Sequence, residues 1–326
     1  MTGASLPPAA PLLGGIAPPG GAIERATARR ADSAWLAAAW ADERTRVLVV
    51  EDGQALVRAG KGTAELVFVP PREAPGGPSF LLGVDADGVA YFGVGAPPGS
   101  VTPTGGGEPG GDGRTVRRAG LRDAGALLAG REAALLTQAV ALANWHATAT
   151  HCPRCGAVTV PEMAGHARRC TADGSEHFPR TDPAVIMLVT DPRDRCLLAR
   201  NARWPPRRVS VLAGFVEPGE SAEQAVAREV REEAGIVVDR VTYAGSQPWP
   251  MPHSLMLGFR AQAAQTAITV DAHEIAEAAW YGRDDLRAAI TGGDLLMPPS
   301  QSISRWLIET WYGGPLPRAP RQAGAF

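Results

Sequence analysis

Long apolar runs are missing from this 326-residue sequence, as are a signal-peptide-like leader and a surplus of charge of either sign. No stretch approaches the roughly 18 apolar residues that a membrane-crossing helix needs. The opening residues, MTGASLPPAAPLLGG, carry neither early positive charge nor a long apolar core. A net charge of −2 excludes a broadly basic nucleic-acid binder, while leaving room for a local basic cleft. Cysteine is scarce, and its placement is uneven: Cys152, Cys155 and Cys170 crowd together, with Cys196 apart. That crowding is a metal pattern more than a disulfide pattern, and a reducing cytoplasm is the expected compartment. What remains is the composition of a soluble globular chain, 45% hydrophobic and 20% charged, long enough for two domains and a large core.

The Pro-, Gly- and Ala-rich residues 1–30 read as a flexible N-terminus. Residues 31–125 read as a β-rich N-terminal domain with an early helix at 33–40. Asp52-Gly53 between apolar runs at 46–50 and 55–57 predicts a hairpin, and Asp85-Ala86-Asp87-Gly88 between 80–84 and 89–94 predicts another. Residues 95–114 form a Gly/Pro loop. Helical periodicity over 131–146 places a connecting helix within 126–148, leading into the cysteine-bearing segment 149–179. A second domain spans 180–315, followed by a tail at 316–326. Its strands are expected at 184–189, 196–200, 209–212, 255–261 and 268–270, and its later helices at 283–290 and 302–312. The fold class is α+β, with strands and helices layered as an α/β/α sandwich in the second domain.

The segment GFVEPGESAEQAVAREVREEAGI, residues 214–236, carries the chemistry. Ser221 with Gln224 is a capping box, and Gly235 stands where a helix end favours glycine, so 222–234 is one helix. Ala222, Ala225, Val226 and Val230 share a stripe, and Glu229 and Glu233, four residues apart, fall within it; Glu232 lies beside them. Arg228 and Arg231 are expected on the opposite side. Inward carboxylates are costly unless a cation meets them, and clustered oxygen ligands suit Mg²⁺ or Mn²⁺. A solvated helix with ordinary ion pairs is the alternative that periodicity alone leaves open.

Gly214, Glu220 and the run Arg228-Glu229-Val230-Arg231-Glu232-Glu233-Ala234-Gly235-Ile236 resemble the Nudix box. The resemblance implies a sandwich fold in which this loop–helix–loop binds metal, with Gly214, Glu229, Glu232 and Glu233 at the metal, Glu220 in support and Arg228 orienting the glutamates. Such ions neutralise a diphosphate and activate water. A late glutamate completes the set: Glu274 is favoured over Glu277.

Residues 246–256, SQPWPMPHSLM, resemble the array that marks the NADH pyrophosphatase branch, with Met251 where phenylalanine is usual. Gln247, Trp249 and Ser254 are the expected substrate contacts there. The same branch carries a zinc ribbon: Cys152, Cys155 and Cys170 match it, and Asp173 stands where a fourth cysteine is expected. His177, His166 or Asp173 itself is left to complete the zinc site. Phe178 and Phe215 are candidates to sandwich a nicotinamide or adenine ring. The resemblance implies a homodimer that hydrolyses NADH or NAD to nicotinamide mononucleotide and AMP; removal of NAD caps from RNA 5′ ends is a rival reading compatible with it, because the same bond is cut. Arg200, Arg203, Arg207 and Arg208 read either as a contact for capped RNA or as a solvated basic loop. ADP-ribose or diadenosine polyphosphates are alternative substrates, and a non-catalytic nucleotide sensor is the reading from another class.

Overall fold

A computed structural model describes residues 23–101 and 114–318. The flexible N-terminus expected at 1–30, the loop at 95–114 and the tail at 316–326 therefore fall largely outside the described residues. The described chain forms two compact units. One holds residues 23–181 together with Pro248–His253, and the other holds Asp182–Gln247 and residues 254–318.

The first unit begins with α1 (Ser33–Ala41), capped by Asp32, whose side chain accepts from the Trp35 N–H. Six strands follow: β1 (Arg46–Val50), β2 (Gln54–Gly60), β3 (Thr63–Leu66), β4 (Ser79–Val84), β5 (Ala90–Gly95) and β6 (Thr115–Gly120). They form two sheets, ordered β1-β5-β4 and β3-β2-β6. The 80–94 hairpin forms as expected, β4 against β5. The hairpin expected across Asp52-Gly53 does not. Glu51 and Gln54 exchange hydrogen bonds at the turn, but β1 pairs parallel with β5 while β2 pairs with β3 and β6. Val47, Leu48, Val49 and Val50 are all buried, so β1 needs cover on both faces, which a free hairpin lacks.

After the short α2 (Leu121–Ala124), the long helix α3 (Gly130–Thr148) lays Leu135, Leu136, Ala139, Val140 and Ala143 against Leu48, Phe80 and Leu82. The cysteine-bearing segment adds β7 (Thr159–Glu162), β8 (Ala167–Cys170) and β9 (Glu176–His177) as a small antiparallel sheet. A buried polar joint fixes it to α3. Arg168 donates to the Thr159 hydroxyl and carbonyl (both 2.7 Å) and to His146 Nδ1 (2.9 Å), while His146 Nε2 lies 2.9 Å from the Gly165 carbonyl. Burial holds the His146 pKa below the ordinary histidine range.

The second unit is a six-stranded mixed sheet between helices. Its strands are β10 (Asp182–Thr190), β11 (Cys196–Asn201), β12 (Leu212–Phe215), β13 (Val238–Trp249), β14 (Ser254–Ala263) and β15 (Ile275–Tyr281), in the order β13-β14-β10-β11-β15 with β12 on β10. Alternation divides the layers. Val185, Met187 and Val189 of β10, with Leu197 and Ala199 of β11, pack against α4 (Ala222–Ala234). Ile186, Leu188, Cys196 and Leu198 face the other way, onto α5 (Arg283–Gly292) and α6 (Ile303–Tyr312). The α/β/α sandwich implied by the resemblance is therefore present. The strand expected at 268–270 is absent. Thr269 spends its N–H on the Ala234 carbonyl at the end of α4, and Ile268 and Val270 cover that helix end instead.

Gln247 is an internal tie. It is 1% exposed, its Nε2 donates to the Gln301 carbonyl and its Oε1 accepts the Ile303 N–H (both 2.8 Å). Both ends of the amide are spent on the start of α6. Gln247→Ala strands buried backbone groups, so we expect a loss of about 1–3 kcal/mol in urea unfolding; unchanged stability would mean that this amide is not a tie.

Candidate active site

Helix α4 forms where its sequence signals place it. The Ser221 side chain and the Gln224 N–H, and the Gln224 side chain and the Ser221 N–H, close the capping box, and Gly235 ends the helix with φ of 69°. The stripe that buries Ala225, Val226 and Val230 also buries Glu229 (9% exposed) and Glu233 (6% exposed). Glu232 stays at the surface.

Arg228 does not point away. It grips Glu220 with two hydrogen bonds (2.8 and 2.9 Å), reaches Glu229 at 2.9 Å and Glu232 at 3.0 Å, and donates to the Phe215 carbonyl at 2.8 Å. A wheel drawn on Cα positions misses this because the long arginine arm bends back along the helix. Arg231 is exposed. Glu220 thus steadies the arginine, and the arginine steadies two of the three helix glutamates. Glu233 receives none of this help: its Oε2 is buried with no hydrogen-bond partner. Burial first, then the charges of Glu229, Glu274 and Glu232, push its pKa up to about 8. Burial also raises Glu229, against the pull of Arg228.

Glu229 and Glu233 open into a cavity of about 390 Å³ that Gly214, Phe215, Ser254 and Glu274 also line. Gly214 is required by space: a Cβ there would stand 1.9 Å from the Glu229 carboxylate. Glu274 arrives on the turn before β15, and the Ala202 N–H donates to its carbonyl (2.8 Å), tying that turn to the 201–203 loop. Arg203 lines the same cavity and is its one arginine among the described residues. Glu277 is elsewhere, paired with Arg200 at 2.6 Å on the β11–β15 ladder. The other arginines of the basic run are also spent, Arg207 on the Gly293 carbonyl and Arg208 over the Trp204 ring. His273, which also lines the cavity, is not marked by any signal in the sequence, whereas Arg203 is marked there only as one member of a basic cluster. The folding of two loops onto one rim brings both residues to the cavity.

A buried carboxylate pair and an orphaned oxygen on Glu233 fit a divalent cation. The aromatic candidates are both open to solvent, Phe215 at 57% and Phe178 at 66%. The 246–256 array is divided. Ser254 lines the cavity, whereas Trp249 lies in Pro248–His253, which belongs to the first unit. There the Asn144 side chain donates to the Pro250 carbonyl (3.0 Å), and Met251 packs on the core beneath α3.

In the first unit the Cys152, Cys155 and Cys170 sulfurs and an Asp173 oxygen lie within 4.8 Å of one another. His177 is turned to the Ser175 hydroxyl (3.1 Å), and His166 to the Leu81 carbonyl (2.7 Å), so neither ring enters the cluster. Three thiol groups and a carboxylate at this spacing fit Zn²⁺. Cys196 is fully buried among apolar side chains, and burial pushes its thiol up to about 12.

Two outcomes follow from this geometry. Glu233 holds a proton in the folded chain that the unfolded chain, with an ordinary carboxyl near 4.5, has already lost. The contribution of Glu233 to stability without Mg²⁺ or Mn²⁺ is therefore most favourable below about pH 4.5 and is lost as pH rises towards about 8. Melting of the zinc-loaded, Mg- and Mn-free protein checks this: Glu233→Gln should gain on the wild type between pH 5.5 and 8, and parallel curves would count against it. Gly214→Ala displaces only the flexible end of Glu229, so Tm should hold while turnover drops by about 100-fold; normal turnover would mean that this carboxylate position is unimportant.

Comparison with known proteins agrees with the geometry. The NUDIX domain family matches residues 180–298, and the NADH pyrophosphatase zinc ribbon domain matches residues 147–178. The chain is 42% identical over 304 residues to the NAD-capped RNA hydrolase NudC of Mycobacterium bovis, covering 88% of this chain and 92% of that protein. It is 42% identical over 193 residues to the human NAD-capped RNA hydrolase NUDT12, covering 56% of this chain and 42% of that protein. A crystal structure of a NUDIX hydrolase from Nitrosomonas europaea aligns with a TM-score of 0.40 at 21% identity, over 51% of this chain and 95% of that one. This chain belongs to the Nudix hydrolases, in the branch that carries the NADH pyrophosphatase zinc ribbon.

Proposed function

We propose that this protein hydrolyses the diphosphate bond of NADH and NAD, yielding AMP and nicotinamide mononucleotide, and that it removes NAD caps from RNA 5′ ends. The observation that carries the reading is the buried Glu229–Glu233 pair beside Glu274 in one cavity. The relatives named as NAD-capped RNA hydrolases support the substrate class. Free NAD and an NAD cap present the same diphosphate, so one cavity serves both. In the capped substrate the second product is 5′-monophosphate RNA.

Glu229, Glu232, Glu233 and Glu274 are the residues that would hold Mg²⁺ or Mn²⁺, with Gly214 at the rim. When bound, such ions neutralise the diphosphate and lower the pKa of water. Arg228 keeps Glu220, Glu229 and Glu232 in fixed orientation, and Gly214 leaves room for the Glu229 carboxylate. Ser254 supplies a hydroxyl at the cavity wall, and Arg203 supplies a positive charge for a phosphate oxygen. The exposed faces of Phe215 and Phe178 are each suited to stack on a nicotinamide or adenine ring. The zinc ribbon is structural in this reading. The protein is a homodimer of the cytoplasm, a compartment consistent with four cysteines that form no disulfide.

One assay set tests the proposal. NADH, NAD, ADP-ribose, a diadenosine polyphosphate and NAD-capped RNA are each incubated with Mg²⁺ or Mn²⁺, and AMP or monophosphorylated RNA is followed. NADH, NAD and capped RNA should be cut in preference to the other two. Glu232→Gln should lower kcat by at least ~100-fold in a protein that remains folded. Preference for ADP-ribose or the diadenosine compound would overturn the substrate assignment, and near-normal turnover in the variant would remove Glu232 from the metal site.

A further inference from the structure

We infer that Asp173 closes the zinc site of this chain through a single carboxylate oxygen, giving three thiolates and one oxygen, and that Ser175 and His177 hold that carboxylate from behind. The inference rests on the ribbon alone and is independent of the proposed substrate.

The four donor atoms lie within 4.8 Å of one another, and two of their separations are those of a tetrahedral shell. Cys155 Sγ and Cys170 Sγ are 3.4 Å apart, and Cys152 Sγ and Asp173 Oδ2 are 3.9 Å apart. A zinc ion with bonds of about 2.3 Å to sulfur and about 2.0–2.2 Å to oxygen sets its ligands at such separations. Among the described residues, no other His, Cys, Asp or Glu joins the cluster.

The two oxygens of Asp173 are not equivalent. Oδ1 accepts both the Ser175 N–H (2.9 Å) and the Ser175 hydroxyl (2.6 Å), while Oδ2 faces the sulfurs. One oxygen is thereby occupied and the other is aimed. The loop is wound around Cys170, whose sulfur accepts the N–H groups of Ala172 and Asp173 (both 3.4 Å). These amides would offset thiolate charge and fix the position of Asp173. His177 Nε2 stands 3.1 Å from the Ser175 hydroxyl. Since the hydroxyl proton goes to Asp173, the ring N–H donates to Ser175, giving a chain from imidazole to hydroxyl to carboxylate. Outer partners of this kind set the orientation and basicity of a metal ligand. Histidine thus contributes to the site without touching the metal.

A carboxylate is a harder donor than the thiolate it replaces, so zinc here should be more readily surrendered than from four sulfurs. X-ray absorption at the zinc edge of the full-length, zinc-loaded protein reads the ligand set directly. Three sulfurs at about 2.3 Å and one oxygen at about 2.0–2.2 Å are expected. Asp173→Cys should convert this to four sulfurs and slow zinc transfer to a chromogenic chelator. Ser175→Ala should keep three sulfurs and one oxygen but weaken zinc binding by ~10-fold or more, whereas His177→Ala should keep the same ligand count. Imidazole scattering that vanishes in His177→Ala, an unchanged wild-type-like spectrum in Asp173→Cys, or a folded wild type that binds no zinc would each overturn the inference.

Discussion

The burial of Glu229 and Glu233 on the sheet-facing side of one helix is the constraint around which the second unit is arranged. An ionised carboxylate removed from water costs several kcal/mol unless something positive meets it. Arg228 meets Glu229 but does not reach Glu233. The neighbouring features all accommodate that imbalance. Gly214 yields space to Glu229, the 201–203 loop fixes the turn bearing Glu274, and Glu220 anchors the arginine. Without a cation the pair relieves itself by keeping a proton on Glu233. With a cation the same geometry becomes a binding site.

The first unit handles buried polarity in the opposite way. Arg168 is buried, yet its donors are directed at Thr159 and His146, and His146 passes the chain of contacts on to the Gly165 carbonyl. Nothing is left over at this joint, which makes it a structural fastening for the ribbon. A satisfied network stiffens a fold, whereas an unsatisfied carboxylate marks a place where a ligand is expected.

The α4 segment was legible in the sequence because its signals are local. A capping box, a terminal glycine and a 3.6-residue stripe define start, end and buried face within fifteen residues. The sandwich was legible from the same kind of evidence. What escaped was set by distance. Arg228 was misplaced because its side chain reaches farther than a helical wheel allows. Gln247 sits in a stretch that resembles a substrate wall, but its partners Gln301 and Ile303 lie more than fifty residues away. Glu274 lines the cavity, whereas Glu277 faces Arg200 on the neighbouring strand. The hairpin at Asp52-Gly53 was misread because a turn specifies reversal of the chain and not which sheet each arm joins.

Helix α4 is pinned at both ends, by Ser221 with Gln224 at its start and by Gly235 and the Thr269–Ala234 hydrogen bond at its end. Its length is therefore fixed as firmly as its composition. One residue added between Glu229 and Glu233 would turn every later side chain by about 100° and carry Glu233 out of the cavity. Exposed positions such as Glu223 and Arg231 are free to vary in kind, but the spacing of this segment admits neither insertion nor deletion.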